Sequence, residues 1–222
     1  FAPELPLYDE ALLLREMALF RDWFLLVHLQ VTLSPAEEQL LADAFNYLKG
    51  VALTQPAVTV HRDFHSRNIM VLNDGSLGHI DFQDAVHGPV TYDLVSLLRD
   101  CYVDWPAQQV YDWALTFAAQ LRRDGKLSVD DATFKHWFDT MGAQRHLKAI
   151  GIFARLFHRD GKAGYLPDIP RTFAYLLQET AATPALADFN GWLQQRVVPE
   201  LCAKDPEAFR YIGEQRSGEP SA

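Results

Sequence analysis

Cysteine is scarce: Cys101 and Cys202 are the two in 222 residues, and they lie far apart. That excludes a disulfide framework and points to a reduced, cytoplasmic protein. Long apolar runs are missing as well. The densest is Trp23-Phe24-Leu25-Leu26-Val27, well short of the ~18 residues a membrane-crossing helix needs. Glu4, Asp9 and Glu10 arrive too early for a signal peptide. Positive charge is in deficit, with 20 Lys and Arg against 29 Asp and Glu and a net charge of −9. That is the wrong sign for a surface that tracks a nucleic-acid backbone. No internal repeat or low-complexity linker occurs. What is present is 49% apolar and 22% charged residues, enough for one sizeable globular core and incompatible with disorder.

Helical patterns dominate. Leu13, Met17, Phe20, Phe24 and His28 recur at steps of three and four, predicting a helix from Asp9 to His28. Ser34-Pro35-Ala36-Glu37 is a capping box with proline at the first helical position. The helix it starts is expected to run to about Lys49 and end at Gly50. Ala57 to Val60, Ile69 to Leu72 and Leu77 to Ile80 are short β-rich runs, the last two joined by Asn73-Asp74-Gly75-Ser76. Helices are expected again over Tyr92 to Tyr102, Ala107 to Arg123, Gln144 to Arg159 and Arg171 to Thr180, with a cap around Ser128 to Asp131. Shorter helices follow between Leu186 and Phe209. The fold class expected is α+β, mostly helical, with a short β-hairpin holding one polar cluster. Residues 1–213 form the folded lobe and 214–222 a polar tail.

The polar cluster has two parts. His61-Arg62-Asp63-Phe64-His65-Ser66-Arg67-Asn68 follows one β-rich run, and His79-Ile80-Asp81-Phe82-Gln83-Asp84 accompanies another. Strand ends hold side chains firmly while leaving them open to a cleft. Read alone, the alternation His61, Asp63, His65 places three possible metal ligands on one face of an extended segment. With His79 and Asp81 that would suit a metal-dependent phosphohydrolase. It leaves Asn68 and the segment Gly88 to Leu94 without a role.

The first part matches the pattern H-R-D-x-x-x-x-N of kinase catalytic loops, and Asp81-Phe82 stands where D-F-G begins, with Gln83 in place of glycine. Together with Gly88-Pro89-Val90-Thr91-Tyr92-Asp93-Leu94, these motifs resemble the C-terminal lobe of the aminoglycoside phosphotransferase and choline kinase group. Within that group the stretch from His61 to Tyr102 is similar to bacterial kinases that phosphorylate the anomeric hydroxyl of amino sugars, N-acetylmuramic acid and N-acetylglucosamine, in peptidoglycan recycling. The resemblance implies a protein-kinase-like C-terminal lobe. It implies that Asp63 orients and deprotonates the attacking hydroxyl, that Asn68 and Asp81 hold Mg2+, and that His61 and Asp93 brace the loop. ATP would be the donor and a small sugar the acceptor, with no nucleic-acid or membrane partner. Aminoglycosides and other hydroxyl compounds remain possible acceptors. Oligomeric state is open.

Several features lie outside that core. His65, Arg67 and Asp84 are either substrate or supporting contacts or plain loop surface. Arg145, Lys148, Arg155 and Arg159 share one helical face, with Leu147, Ile150, Phe153, Ala154 and Phe157 opposite. They are either an anion site, for a sugar-acid carboxylate or a phosphate, or a solvated basic face. Trp105, Trp137 and Tyr165 are aromatic candidates for a sugar pocket. No glycine-rich phosphate loop occurs, and none of the six lysines lies in a strand like the one that carries the nucleotide lysine. The expectation is therefore the substrate and metal lobe of a two-lobed enzyme, inactive without the other lobe. The competing expectation is a non-catalytic module that binds a sugar or a partner.

Overall fold

The computed structural model describes residues 5–217. Asp9 accepts a hydrogen bond from the Leu12 amide at 2.8 Å and starts α1, Glu10–Leu19. From Phe20 to His28 the same helix widens to π geometry, and the Leu29 amide donates to the Phe24 carbonyl at 2.8 Å. The widening begins where another chain segment presses on it. A β-carbon on Gly151 would stand 2.3 Å from the Leu19 carbonyl carbon and 2.5 Å from the Phe20 nitrogen. The two backbones meet there because position 151 has no side chain.

The capping box forms as expected, with Ser34 and Glu37 bonding reciprocally, and opens α2, Pro35–Thr54. Gly50 does not end it. Its missing side chain faces open space. The helix stops at Gln55, which is extended at ψ 149° because Pro56 disfavours helical backbone in the residue before it.

Four short strands follow, in two antiparallel pairs. Strand β1, Ala57–Val60, pairs with β4, Val86–Pro89, in the register Val60 to Val86. Strand β2, Ile69–Val71, pairs with β3, Leu77–His79, as the turn residues between them predict. Strand β4 was not expected. Gly88 and Pro89 are poor strand formers, yet Gly88 lets Tyr8 pack at van der Waals distance, since a β-carbon there would sit 2.8 Å from the Tyr8 Cβ. The Tyr8 amide donates to the His87 carbonyl at 2.9 Å.

Helix α3 is Tyr92–Leu98, shorter than the pattern suggested, because the chain breaks away at Arg99. Helix α4 is Ala107–Arg123. Helix α5 is Asp131–Asp160, twice the length expected from Gln144. Its first half helps bury Val60, Val86, Tyr92 and Val95 through Phe134, Trp137, Phe138 and Met141. Its second half packs Leu147, Ile150, Phe153 and Ala154 against Phe20, Phe24, Phe173 and Leu176. Helix α6, Ile169–Ala181, follows, then α7, Ala187–Trp192, α8, Val198–Lys204, and α9, Ala208–Ser217. The start of the expected polar tail thus continues α9, and 218–222 lie outside the described residues. The class is α+β and mostly helical, as expected.

Where the two cores meet, α5 carries buried charge. Arg99 donates to Asp139 at 2.7 Å and to Glu179 at 2.9 Å. Glu179 also meets His146 Nδ1 at 2.8 Å. Gly142 leaves the space that the Glu179 carboxylate fills.

Two expectations follow from this packing. Gly151→Ala forces two backbones apart and is expected to cost about 3 kcal/mol, read as a lower urea midpoint at unchanged slope. The second concerns His28, which is buried and lies 3.0 Å from His158. Burial, then Lys204, then His158 push its imidazole down to about 4. The unfolded chain therefore binds more protons than the folded one between that value and the ordinary histidine range, and stability falls as pH drops through this window. In His28→Phe the loss of unfolding free energy between pH 7 and pH 4.5 should shrink. An unchanged pH slope would contradict the assignment.

Candidate active site

The loop 61–68 leaves the end of β1 and is held from below. Asp93, on the first turn of α3, accepts the His61 amide at 2.7 Å and the Arg62 amide at 3.1 Å. Burial pushes the Asp93 carboxyl above the usual aspartate range, against these two bonds, which favour the charged form. Arg62 has a positive φ of 75°, a conformation that costs a non-glycine residue energy. Its guanidinium bonds the Asp84 carbonyl at 3.2 Å and pairs with Glu16, which fixes the turn. Further along, the Ser66 amide donates to Asp100 at 2.8 Å, and the Tyr102 amide donates to the other oxygen of that carboxylate at 2.9 Å.

These anchors turn Asn68 back toward the start of the loop. Its carboxamide donates to the Asp63 carbonyl at 3.0 Å and reaches Asp81 Oδ2 at 3.4 Å. The Ile80 amide donates to the Asn68 carbonyl at 3.2 Å, so the strand pair β2–β3 sets the separation. Asp81 also has a positive φ, 69°, and accepts from Gln83 at 2.6 Å. The Asp63 carboxylate, partly exposed, takes part in no hydrogen bond among the described residues. It acts electrostatically on Lys148 and His65. The structure thus brings together a carboxylate with free lone pairs and, beside it, an amide and a second carboxylate facing solvent.

Beneath the loop lies a buried polar group built on Glu16. It accepts from Tyr8 and Arg62, from Gln144 at 3.3 Å, and from Lys148 at 3.1 Å. Burial raises the Glu16 carboxyl, but Lys148, Tyr8 and Arg62 outweigh it and hold the group below the usual carboxylate range. Lys148 also donates to the Tyr92 hydroxyl at 2.9 Å. Burial pulls its ammonium down, while Tyr92 and Glu16 more than restore it.

The remaining predicted residues divide. His61 packs its ring against Phe64, with centroids 5.8 Å apart, and its two buried ring nitrogens have no hydrogen-bond partner among the described residues. His65 meets the edge of Tyr102, and Arg67 lies over the same ring at 3.5 Å and faces Asp168 at 3.9 Å. The Asp84 carboxylate is exposed and joins nothing; its carbonyl is what matters. The four helical cations do not form one solvated face. Arg145 and Lys148 are buried, because the middle of α5 runs through the protein interior. Arg155 is half-buried, and only Arg159 is a surface cation, paired with Asp160 at 2.7 Å. Trp137 is core and Trp105 packs on Trp113. Tyr165 stacks on Phe153 next to Tyr102. Glu16, Tyr8, Gln144 and Asp100 were not singled out from sequence. Asp100 alone carried a signal, being acidic just after a helix that follows Asp93.

Among the described residues no three His, Cys, Asp or Glu side chains gather as metal ligands, which disfavours the phosphohydrolase reading of His61, Asp63 and His65. Asn68 and Asp81 together offer hard oxygen donors on one side of the loop, the type that suits a magnesium ion retaining several waters.

The chain belongs to the phosphotransferase enzyme family, whose profile matches residues 3–131. The chain is 44% identical over 187 residues to an N-acetylmuramate/N-acetylglucosamine kinase of Pseudomonas putida, a match covering 84% of this chain and 55% of that protein. Similar kinases of the same name occur in Neisseria meningitidis, 44% identical over 88% of this chain and 59% of that protein, and in Pseudomonas aeruginosa, 46% identical over 84% and 55%. The chain spans a little over half the length of these curated relatives.

The loop geometry can be tested without any substrate. Asp93→Asn removes the charge that holds two amides. Hydrogen exchange at the His61 and Arg62 amides should accelerate about tenfold, with helix content unchanged. Unaltered protection at both amides would show that Asp93 does not hold the loop.

Proposed function

We propose that this chain is the substrate and metal lobe of a cytoplasmic kinase that transfers a phosphoryl group from ATP to the anomeric hydroxyl of an amino sugar. The acceptors are N-acetylmuramic acid and N-acetylglucosamine, and the setting is peptidoglycan recycling. The observation that carries this reading is the Asp63 carboxylate, free of hydrogen bonds among the described residues, on a residue whose carbonyl Asn68 binds while reaching Asp81. The names of the similar kinases support the choice of sugar.

In this reading Asp63 accepts the hydrogen of the anomeric hydroxyl and points its oxygen at the phosphoryl group. An anomeric hydroxyl is more acidic than an ordinary alcohol, so an aspartate is a sufficient base. Asn68 and Asp81 would hold Mg2+, which when bound neutralises charge on the nucleotide phosphates. Asp93 and Arg62 keep the loop from relaxing, so that most of the acceleration comes from placement.

The nucleotide side of the site is supplied by a second lobe outside this chain. Met70, Val71, Leu72, Leu77, Ile80 and Phe82 are all exposed on and beside β2–β3, next to Asn68 and Asp81. So much apolar surface at one edge marks a contact face. A large part of the length of the similar kinases lies outside the match.

Phosphorus NMR on a polypeptide extended upstream of Phe1, with ATP, Mg2+ and each sugar, should show a sugar 1-phosphate, while the 222-residue chain alone gives none. In the extended protein Asp63→Asn should lower kcat by about 100-fold or more and leave KM for the sugar within about threefold. Turnover near the parent level would remove Asp63 from the chemistry. Phosphorylation of an aminoglycoside but of neither sugar would overturn the assigned substrate.

A further inference from the structure

Among the described residues two arginines are deeply buried, and one of them, Arg99, has carboxylate partners. Arg99 is held by Asp139 and Glu179. Arg145, on α5, keeps 7% of its exposure and makes a single hydrogen bond, from Nη1 to the Cys101 sulfur at 3.6 Å. It forms no ion pair among the described residues. A guanidinium stays charged at every accessible pH and is costly to bury without an anionic partner. A thiol sulfur is a weak acceptor.

Two carboxylates act on Arg145 through their charge without bonding it. Asp100 acts on Arg145 electrostatically, but its two oxygens accept the Ser66 and Tyr102 amides. Asp93 is likewise bound to the His61 and Arg62 amides. A second unmatched group stands close by: His65 Nδ1 is buried with no hydrogen-bond partner, and the Arg145 charge acts on that imidazole. His65 is on the loop that carries Asp63 and feels the Asp63 charge as well as that of Arg145, and Asp100, next to the Cys101 that Arg145 bonds, holds the Ser66 amide of the same loop. No hydrogen bond or ion pair joins Arg145 to Asn68 or Asp81 among the described residues. The anion that would complete Arg145 therefore belongs to the acceptor and not to the nucleotide.

We propose that Arg145, with His65 beside it, receives the carboxylate of an acidic sugar and so favours N-acetylmuramate over its neutral analogue. This rests on the sugar-kinase reading above. The two sugars differ by a lactyl ether on O3, whose carboxylate is the only charge on either molecule. A buried fork of N–H groups is the geometry that recognises it. Lys148, three residues along α5, is excluded from the role because Glu16 and Tyr92 already engage it.

The test is steady-state kinetics of the upstream-extended protein on both sugars. In Arg145→Gln, kcat/KM for N-acetylmuramate should fall about 30-fold, mostly through KM, and that for N-acetylglucosamine should stay within about threefold. Arg145→Lys, which keeps the charge but not the fork, should fall between. A measurement on the unaltered protein guards against misfolding: it should use N-acetylmuramate at least about tenfold better than its neutral methyl ester. Equal losses on both sugars, or equal use of acid and ester, would overturn the proposal. If the unaltered protein phosphorylates neither sugar, the sugar-kinase reading falls and this assignment falls with it. Activity on both sugars with no discrimination removes Arg145 alone.

Discussion

One buried carboxylate organises the region around the loop. Glu16 is contacted by Tyr8 from the segment before α1, by Arg62 from the loop and by Gln144 and Lys148 from α5. A charge in such surroundings is tolerable only while every partner stays in place, since the interior does not screen it and water cannot replace a lost bond. The loop conformation, the docking of α1 and the rotation of α5 are therefore not independent choices. Arg62 can hold a left-handed backbone beside Asp63 because its side chain is committed to Glu16 at the far end.

The same economy recurs elsewhere along α5. Where the helix passes between the two cores it carries polar groups inward, and most of its charges are matched there. Arg99, Asp139, His146 and Glu179 close on one another around Gly142, and Glu16, Lys148 and Tyr92 close on one another a turn further on. A helix clamped in this way makes a stiff base for the side chains above it, which suits chemistry that depends on placement. Arg145 stands out against that background because it forms no ion pair among the described residues.

Much of this was legible in the sequence wherever the determinants are local. The Ser34 and Glu37 cap depends on residues three apart, and the β2–β3 turn on four consecutive residues. Asp63, Asn68 and Asp81 were legible as candidates because the proposed binding of a hydroxyl and a metal calls for those groups at fixed spacing. Glu16 was not. In a helical repeat an acidic residue next to Met17 reads as the solvent side, and the partners that bury it come from Arg62 and Lys148, remote in the chain. The length of α5 was hidden for a related reason. Asp139, Thr140, Gln144, Arg145, His146 and Lys148 are all buried, so the apolar periodicity that announces a helix is erased where the helix is most enclosed. Strand β4 was masked by Gly88 and Pro89, whose value lies in letting Tyr8 approach.

Arg62 and Asp81, which bracket the group at Asp63, both hold backbone angles that glycine would adopt more easily. Natural variation at these two positions accordingly has an unusual meaning. A glycine at 62 would ease the turn yet cut its tether to Glu16, and a glycine at 81 would ease the turn yet delete a carboxylate. A relative that carries glycine at either place has exchanged a side-chain function for backbone comfort, and its compensation should be sought in the residues that those side chains had touched.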